Sequence, residues 1–313
     1  MQNIFSRQKI CGADTAVNFM KGGLHYQTIG FFAEGFREGR FTPLEITRNL
    51  LNRIEEIDPR LQAYATLMSD SAVRSADFLT EELNSGTYRG PLHGIPIAVK
   101  DLCYTKGVKT MGGTKVLENF TPDYDSTVVA RLREAGAVIL GKLNLTEGAM
   151  GGYNPHRKVP RNPWDKTKWA GSSSSGSGVA TASGLCVGSL GSDTGGSIRF
   201  PSAACGVVGL KPTYGRVSRH GVLDLAETLD HVGPMARSVM DTALIFKTIA
   251  GFDPLDPTTL PDASFDIEVV EDTDINGVEL GFDENFAFSR VDPELKKLIE
   301  GSLTILESLG AKI

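Results

Sequence analysis

A lysine at the end of an apolar run is the first residue of this sequence suited to chemistry. Lys100 directly follows IPIAV at 95–99, which reads as a short buried strand entering a loop. The usual interpretation of such a residue is a surface lysine at a strand end. The alternative is a lysine held partly out of water, since removal from water lowers the pKa of an amine and can make it a base near neutral pH.

A glycine-rich segment at 191–213, GSDTGGSIRFPSAACGVVGLKPT, places two glycines directly before Ser197. Paired glycines let backbone N–H groups converge, and a helix expected to begin near Ser197 adds the positive end of its dipole. Such a loop can hold a phosphate or the oxyanion of a tetrahedral intermediate. The segment lacks the GK[ST] ending of a phosphate-binding loop, which disfavours the phosphate. Taken alone, it could also be a tight structural turn.

A run of glycine and serine, AGSSSSGSG, occupies residues 170–178 and contains Ser173. Gly and Ser tracts are typical of flexible linkers. No composition shift marks a domain boundary here, so an ordered loop is an equal alternative.

Together these segments resemble the amidase signature family. The resemblance covers about residues 91–251 and rests on GIPIAVKD, the Gly/Ser run, DTGGSIR and the continuation GLKPTYGRVS. It implies an α/β amidase signature fold, in which helices cover both faces of a mixed β-sheet. The alternation of predicted helices with short buried strands independently favours an α/β fold.

The resemblance also implies catalytic roles. Ser197 matches the nucleophile that becomes acylated, Ser173 the bridging serine that follows a cis peptide bond in this family, and Lys100 the base. The family usually has glycine where this chain has Ser172 and Ser175, so the choice of Ser173 rests on its separation from Ser197. The backbone donors of the oxyanion hole match Thr194, Gly195, Gly196 and Ser197.

The implied reaction is amide hydrolysis through an acyl-enzyme. Ser197 would pass its proton to Ser173, and Ser173 to Lys100, so that no histidine is needed. A Ser-His-Asp triad is the rival mechanism, but no histidine lies in a nucleophile setting. The chain's histidines are His25, His93, His156, His220 and His231.

The substrate is predicted only as a small-molecule amide. Segment 143–164 would line the acyl site, with Met150, Gly151 and Tyr153 as candidates for its wall. No cofactor or metal is implied, and a homodimer is left open. The net charge of −6 disfavours direct binding to nucleic acid or to an anionic membrane. Two alternatives remain: the glutaminase (A) subunit of a tRNA-dependent amidotransferase, and an inactive truncated homologue.

The whole chain, 1–313, is expected to be one domain, with residues 1–65 as its peripheral N-terminal helices. A predicted helix at 293–310 is followed only by AKI, so the domain is expected to be incomplete at its C-terminus. The cysteines show no pairing or metal-ligand spacing and the N-terminus lacks a secretory signal, which predicts a cytoplasmic protein. The predicted strands are 95–99, 138–143, 186–191, 206–210 and 277–283. The predicted helices are 28–57, 69–83, 126–137, 178–185, 236–251 and 293–310, and Thr42 followed by Pro43 and Glu45 indicates a helix start within the first of them.

Overall fold

The computed structural model describes residues 23–261 and 274–313, which form two compact units. Part of the segment predicted as peripheral helices, residues 1–22, lies outside the described residues. The single domain over 1–313 stays a prediction. No helix within the described ranges is long and apolar enough to cross a membrane.

Three amphipathic α-helices lie between residues 29 and 84 of the first unit. They are α1 (Ile29–Arg37), α2 (Pro43–Leu61) and α3 (Ser69–Asn84), so the helical pattern predicted at 28–57 is divided in two. The second helix begins where the sequence indicates, because Thr42 and Glu45 form a reciprocal capping box around Pro43. Its apolar face is buried in the core.

A six-stranded mixed sheet forms the centre of the same unit, which confirms the predicted fold class. The order of the strands is β1-β3-β2-β4-β6-β5. Strand β2 is parallel to both β3 and β4, while β1, β6 and β5 join by antiparallel pairing. The strands are β1 (Tyr64–Leu67), β2 (Pro96–Lys100), β3 (Val138–Leu143), β4 (Gly188–Asp193), β5 (Val208–Gly209) and β6 (His231–Ala236).

Both faces of the central strands are covered. Every residue of β2, β3 and β4 is buried, and successive side chains of a strand point to opposite faces of the sheet. The further α-helices that the structure describes in this unit are α4 (Thr127–Glu134), α5 (Ser175–Ala182), α6 (Arg199–Cys205) and α7 (Val239–Ile249).

Helix α5 consists of small residues that allow close packing. A Cβ atom on Gly176 would come within 2.5 Å of the carbonyl oxygen of Asn144, just after β3. A Cβ on Gly178 would come within 2.9 Å of the carbonyl oxygen of Pro201 in α6. Glycine at both positions therefore lets α5 lie against backbone on two sides.

The second unit, residues 274–313, contains α8 (Glu284–Phe288) and α9 (Pro293–Ser308). The strand predicted at 277–283 is wrong, because the structure has there only one parallel bridge, between Glu279 and Lys312. A single pair of residues provides too few hydrogen bonds to fix a longer extended segment.

Candidate active site

Lys100 is the last residue of β2, and its side chain is fully buried. Its Nζ donates hydrogen bonds to three serine hydroxyls: Ser173 at 2.7 Å, Ser174 at 2.9 Å and Ser192 at 2.9 Å. Burial lowers the pKa of Lys100 from 10.5 to about 7. The amine can therefore gain and lose a proton near neutral pH.

The Gly/Ser run is an ordered, buried loop, so the alternative of a flexible linker is wrong. Ser173 and Ser174 are fully buried, and α5 begins directly after them. The peptide bond between Ser172 and Ser173 is cis. Gly171 has φ +79°, and a Cβ there would lie 2.3 Å from the Cα of Pro201, so the loop passes directly against α6.

Ser174 and Ser192 determine how the Lys100 amine is oriented. The Ser174 hydroxyl donates to the carbonyl oxygen of Ser192 at 3.1 Å, so it can only accept from Lys100. A neutral amine has two N–H groups and one lone pair. If the N–H groups go to Ser174 and Ser192, the lone pair faces the Ser173 hydroxyl.

The loop after β4 folds around the carboxylate of Asp193. This carboxylate accepts from the amides of Gly196 at 2.8 Å and Ile198 at 3.1 Å, and from the Arg199 guanidinium at 2.9 and 3.0 Å. Burial alone would raise the pKa of Asp193, but the hydrogen bonds from Arg199 and the backbone outweigh it and hold the pKa at about 2. The charged carboxylate thus organises the turn that contains Ser197.

The backbone N–H groups of this turn differ from one another. Within residues 23–261, the amides of Thr194, Gly195 and Ser197 have no protein acceptor. The amide of Gly196, expected as an oxyanion donor, donates to Asp193 instead. Three of the four expected donors are therefore unengaged.

Ser197 is joined to the Gly/Ser loop through its backbone, and within the described residues its hydroxyl makes no hydrogen bond. The amide of Ser174 donates to the Ser197 carbonyl oxygen at 3.2 Å, which joins the two loops. No hydrogen bond links the hydroxyls of Ser197 and Ser173 in the described part of the chain. Catalytic hydrogen bonds are often long in a free enzyme and tighten when substrate binds.

The histidines do not form a rival triad. Nδ1 of His231 contacts the carbonyl oxygens of Asp193 and Leu229. Among the described residues, no histidine is hydrogen-bonded to Ser197, Ser173 or Lys100.

The candidate substrate residues differ in their contacts and exposure. The hydroxyl of Tyr153 donates to the Ser175 hydroxyl at 2.7 Å, which places the ring beside the first turn of α5. Met150 is 62% exposed, and Gly151 is exposed as well. Tyr153 is thus hydrogen-bonded to the serine run, and the substrate role of all three residues stays a prediction.

A second buried lysine lies close to the site and was not singled out from the sequence. Nζ of Lys142 lies 3.4 Å from Oδ1 of Asp101 and donates to the Cys103 carbonyl at 2.7 Å and to Thr110 at 2.6 Å. Both charged side chains are almost fully buried. Burial raises the pKa of Asp101 to about 6 and lowers that of Lys142. Neither residue contacts the serines, so the pair supports the strands that carry Lys100.

Ser192 and Asp193 were not singled out from the sequence either. Asp193 and Ser192 precede the GGS turn in sequence, and this position is the only signal that could have indicated them. The Ser192 hydroxyl reaches the Lys100 amine because β4 lies beside β2, with Val99 paired to Leu190.

Comparisons with known proteins show the family of this chain. A family model described as Amidase matches residues 45–313. The protein named "Putative amidase AmiD" of Mycobacterium tuberculosis is 49% identical over 282 residues, which are 89% of this chain and 58% of that protein. The A subunit of glutamyl-tRNA(Gln) amidotransferase from Carboxydothermus hydrogenoformans is 42% identical over 295 residues, which are 92% of this chain and 60% of that protein.

A solved structure shows the same fold. Native peptide amidase from Stenotrophomonas maltophilia matches with a TM-score of 0.84 and 36% sequence identity, covering 91% of this chain and 61% of that one. The chain thus spans 58–60% of the length of the two curated relatives.

Proposed function

Because the chain belongs to the Amidase family, we propose that it hydrolyses a carboxylic amide through an acyl-enzyme on Ser197. One observation carries the proposal: a fully buried Lys100 amine, with its pKa near 7, is hydrogen-bonded to the Ser173 hydroxyl at 2.7 Å. A buried amine that is half neutral at pH 7 can serve as a general base.

In the first step Ser197 Oγ attacks the amide carbonyl carbon. Its proton moves to Ser173 as the proton of Ser173 moves to the lone pair of Lys100. The carbonyl oxygen becomes negative and accepts hydrogen bonds from the amides of Thr194, Gly195 and Ser197. Donors of this kind are worth roughly 3–4 kcal/mol each in the transition state.

In the second step the C–N bond breaks and the leaving amine takes a proton from Ser173, which regains one from the Lys100 ammonium. Water then attacks the acyl group on Ser197 and gives its proton to the same relay. The ester bond breaks, Ser197 recovers its hydroxyl hydrogen, and a carboxylic acid is released. Ser174 and Ser192 hold the amine in one orientation throughout.

The glutaminase component of an amidotransferase remains a second candidate. It is favoured by the 42% identity to the A subunit of such an enzyme. The two candidates share the relay and differ in substrate, since a glutaminase component would release ammonia from glutamine and transfer it to a partner. Hydrolysis of simple amides without any partner, and without a preference for glutamine, would favour the free amidase.

The direct test is covalent labelling. We expect a fluorophosphonate to phosphonylate one serine of the 1–313 chain, with loss of fluoride, and peptide mapping to place the label on Ser197. Ser197→Ala should remove both the label and amide hydrolysis, because the nucleophile is lost. A label on another serine, or hydrolysis by Ser197→Ala near the wild-type rate, would contradict the assignment.

A further inference from the structure

A basic cavity lies beside the Gly/Ser loop, at the end away from Lys100. Its volume is about 490 Å³, within the usual range of small-molecule pockets. The aromatic part of its wall comes from Tyr153 and Trp169. Its basic part comes from Arg157, Lys158, Arg161, Lys166 and Lys168.

The charge of this cavity is opposite to that of the chain. The whole chain carries −6, yet the short stretch from Arg157 to Lys168 contains all five cations and only one acid, Asp165. None of the five forms an ion pair with an acid of residues 23–261. Asp58 interacts electrostatically with Lys158, and Asp165 with Lys168, but neither acid lies within ion-pair distance. The excess of positive charge around one concave surface therefore attracts a soluble anion.

The cavity is joined to the catalytic loop on two sides. On one side, the Tyr153 hydroxyl is hydrogen-bonded to Ser175, two residues after Ser173. On the other, Trp169 packs against Phe200, with 6.1 Å between ring centroids. Ala170 in the cavity wall precedes Ser173 by three residues, so at most about 11 Å of extended chain separates them.

We propose that this cavity binds an anionic group of the amide substrate, a carboxylate or a phosphate, remote from the bond that is cleaved. The inference rests on the proposed function, because it names the substrate class of the same site. The lysines and Arg161 supply the charge, and the rings of Tyr153 and Trp169 pack against the apolar segment that joins the anion to the amide. The reaction at Ser197 is unchanged.

The kinetic test compares charged and neutral amides of equal length. Dicarboxylic acids amidated at one end, and their phosphonate counterparts, are compared with plain alkanamides over a series of chain lengths. We expect kcat/KM for the best anionic amide to exceed that of the neutral amide about tenfold or more, with the difference shrinking as salt screens the charges. The preferred length then reports the span from cavity to Ser197, and the preferred head group distinguishes carboxylate from phosphate.

Charge reversal at the cavity provides the matched variants. Lys166→Glu combined with Lys168→Glu should lower kcat/KM for the anionic amide about tenfold and leave the neutral amide within about twofold. The control combines Arg48→Glu with Arg74→Glu, which changes the net charge by the same amount on the exposed faces of α2 and α3. This control should leave the preference for the anionic amide over the neutral amide unchanged.

A binding measurement separates this inference from the proposed function. The Ser197→Ala chain is titrated with the same amides by calorimetry, with and without the Lys166 and Lys168 substitutions. Hydrolysis of neutral and anionic amides at equal rates overturns the inference and leaves the function. Anion-dependent binding without any hydrolysis supports the cavity and overturns the function. Equal affinity for charged and neutral amides overturns the inference. So does an equal loss of kcat/KM for the anionic amide in the Lys166/Lys168 and Arg48/Arg74 double variants.

Discussion

The amide nitrogen of Ser174 lies 3.2 Å from the carbonyl oxygen of Ser197 and donates a hydrogen bond to it. The hydroxyl of the same residue accepts a hydrogen bond from Lys100 at 2.9 Å. Ser174 therefore contacts both the proposed base and the loop of the proposed nucleophile. A residue with these contacts can align the two without taking part in proton transfer.

The first prediction concerns this alignment. Ser174→Ala should lower kcat about ten- to a hundredfold, because one N–H of Lys100 loses its acceptor and the lone pair is no longer held toward Ser173. Ser177→Ala is the matched control, since Ser177 is equally buried in α5 and donates to the Leu190 carbonyl at 2.9 Å without touching Lys100.

Ser177→Ala should lose about 1 kcal/mol of unfolding free energy, measured by urea denaturation, because it removes one buried hydrogen bond. Ser174→Ala should lose more, because the Ser174 hydroxyl makes three buried hydrogen bonds. Only Ser174→Ala should lose rate. Equal rates in the two variants would show that Ser174 does not orient the base.

The second prediction is that kcat/KM rises with pH up to about pH 7. Burial lowers the pKa of Lys100 to about 7, so the fraction of neutral, proton-accepting amine rises as pH rises through 7. We expect kcat/KM to increase about tenfold per pH unit below pH 7 and to level off above it. The measurement is a profile of initial rates for a neutral amide.

Lys100→Met keeps most of the apolar stem but has no base, and it should remove this rise with pH together with most of the activity. If the residual kcat/KM of Lys100→Met still rose with pH below pH 7 as in the wild type, another group would have to be the base.

The third prediction compares two adjacent glycines in the turn before Ser197. Gly196 has φ +130°, and a Cβ there would lie 2.3 Å from Cε2 of Phe200, whereas a Cβ on Gly195 would meet no atom within 4 Å. Gly196→Ala should therefore cost at least about 1 kcal/mol of unfolding free energy, and Gly195→Ala clearly less. Thermal unfolding of the two variants checks this, and equal melting temperatures would be inconsistent with the described turn.

The elements that were predicted well have a strong local pattern. The strand at 138–143 and the start of α2 at Pro43 were placed correctly, because one is a continuous apolar run and the other has a cap. Strand β6 was missed, since HVGPMA contains glycine and proline and becomes a strand only through its six-residue pairing with β4. Such pairing depends on distant chain segments, which local composition does not encode.

The proposed catalytic residues were identified from motifs, but their surroundings were not. The contacts of Lys100 with Ser192 depend on the packing of β2 beside β4. The orientation of the Gly196 amide toward Asp193 depends on a glycine conformation that the sequence leaves free. Motifs thus indicated the residue types and positions, while the direction of each hydrogen bond required the fold.

The fourth prediction concerns acid stability. The pKa of Asp193 is held at about 2, below its ordinary value of 3.8, so the group adds stability above about pH 4 that is lost as pH falls through 2. The contribution should be on the order of 1–2 kcal/mol, because the Arg199 side chain is 55% exposed and solvent screens the pair.

Asp193→Asn should show a correspondingly weaker loss of unfolding free energy between about pH 5 and pH 2, measured by urea denaturation. A pH dependence identical to that of the wild type would mean that Asp193 titrates normally in the folded protein.

The buried pair of Asp101 and Lys142 affects the register in which β2 and β3 pair during folding. Asp101 directly follows β2, and Lys142 lies in β3 opposite Val99. If β2 slipped by one residue along β3, the side chains would exchange faces and the two charges would be buried apart. An isolated buried charge costs several kcal/mol, so the misaligned sheet would be strongly disfavoured during folding. The same pair therefore favours the register of β2 against β3 that places Lys100 next to the serines.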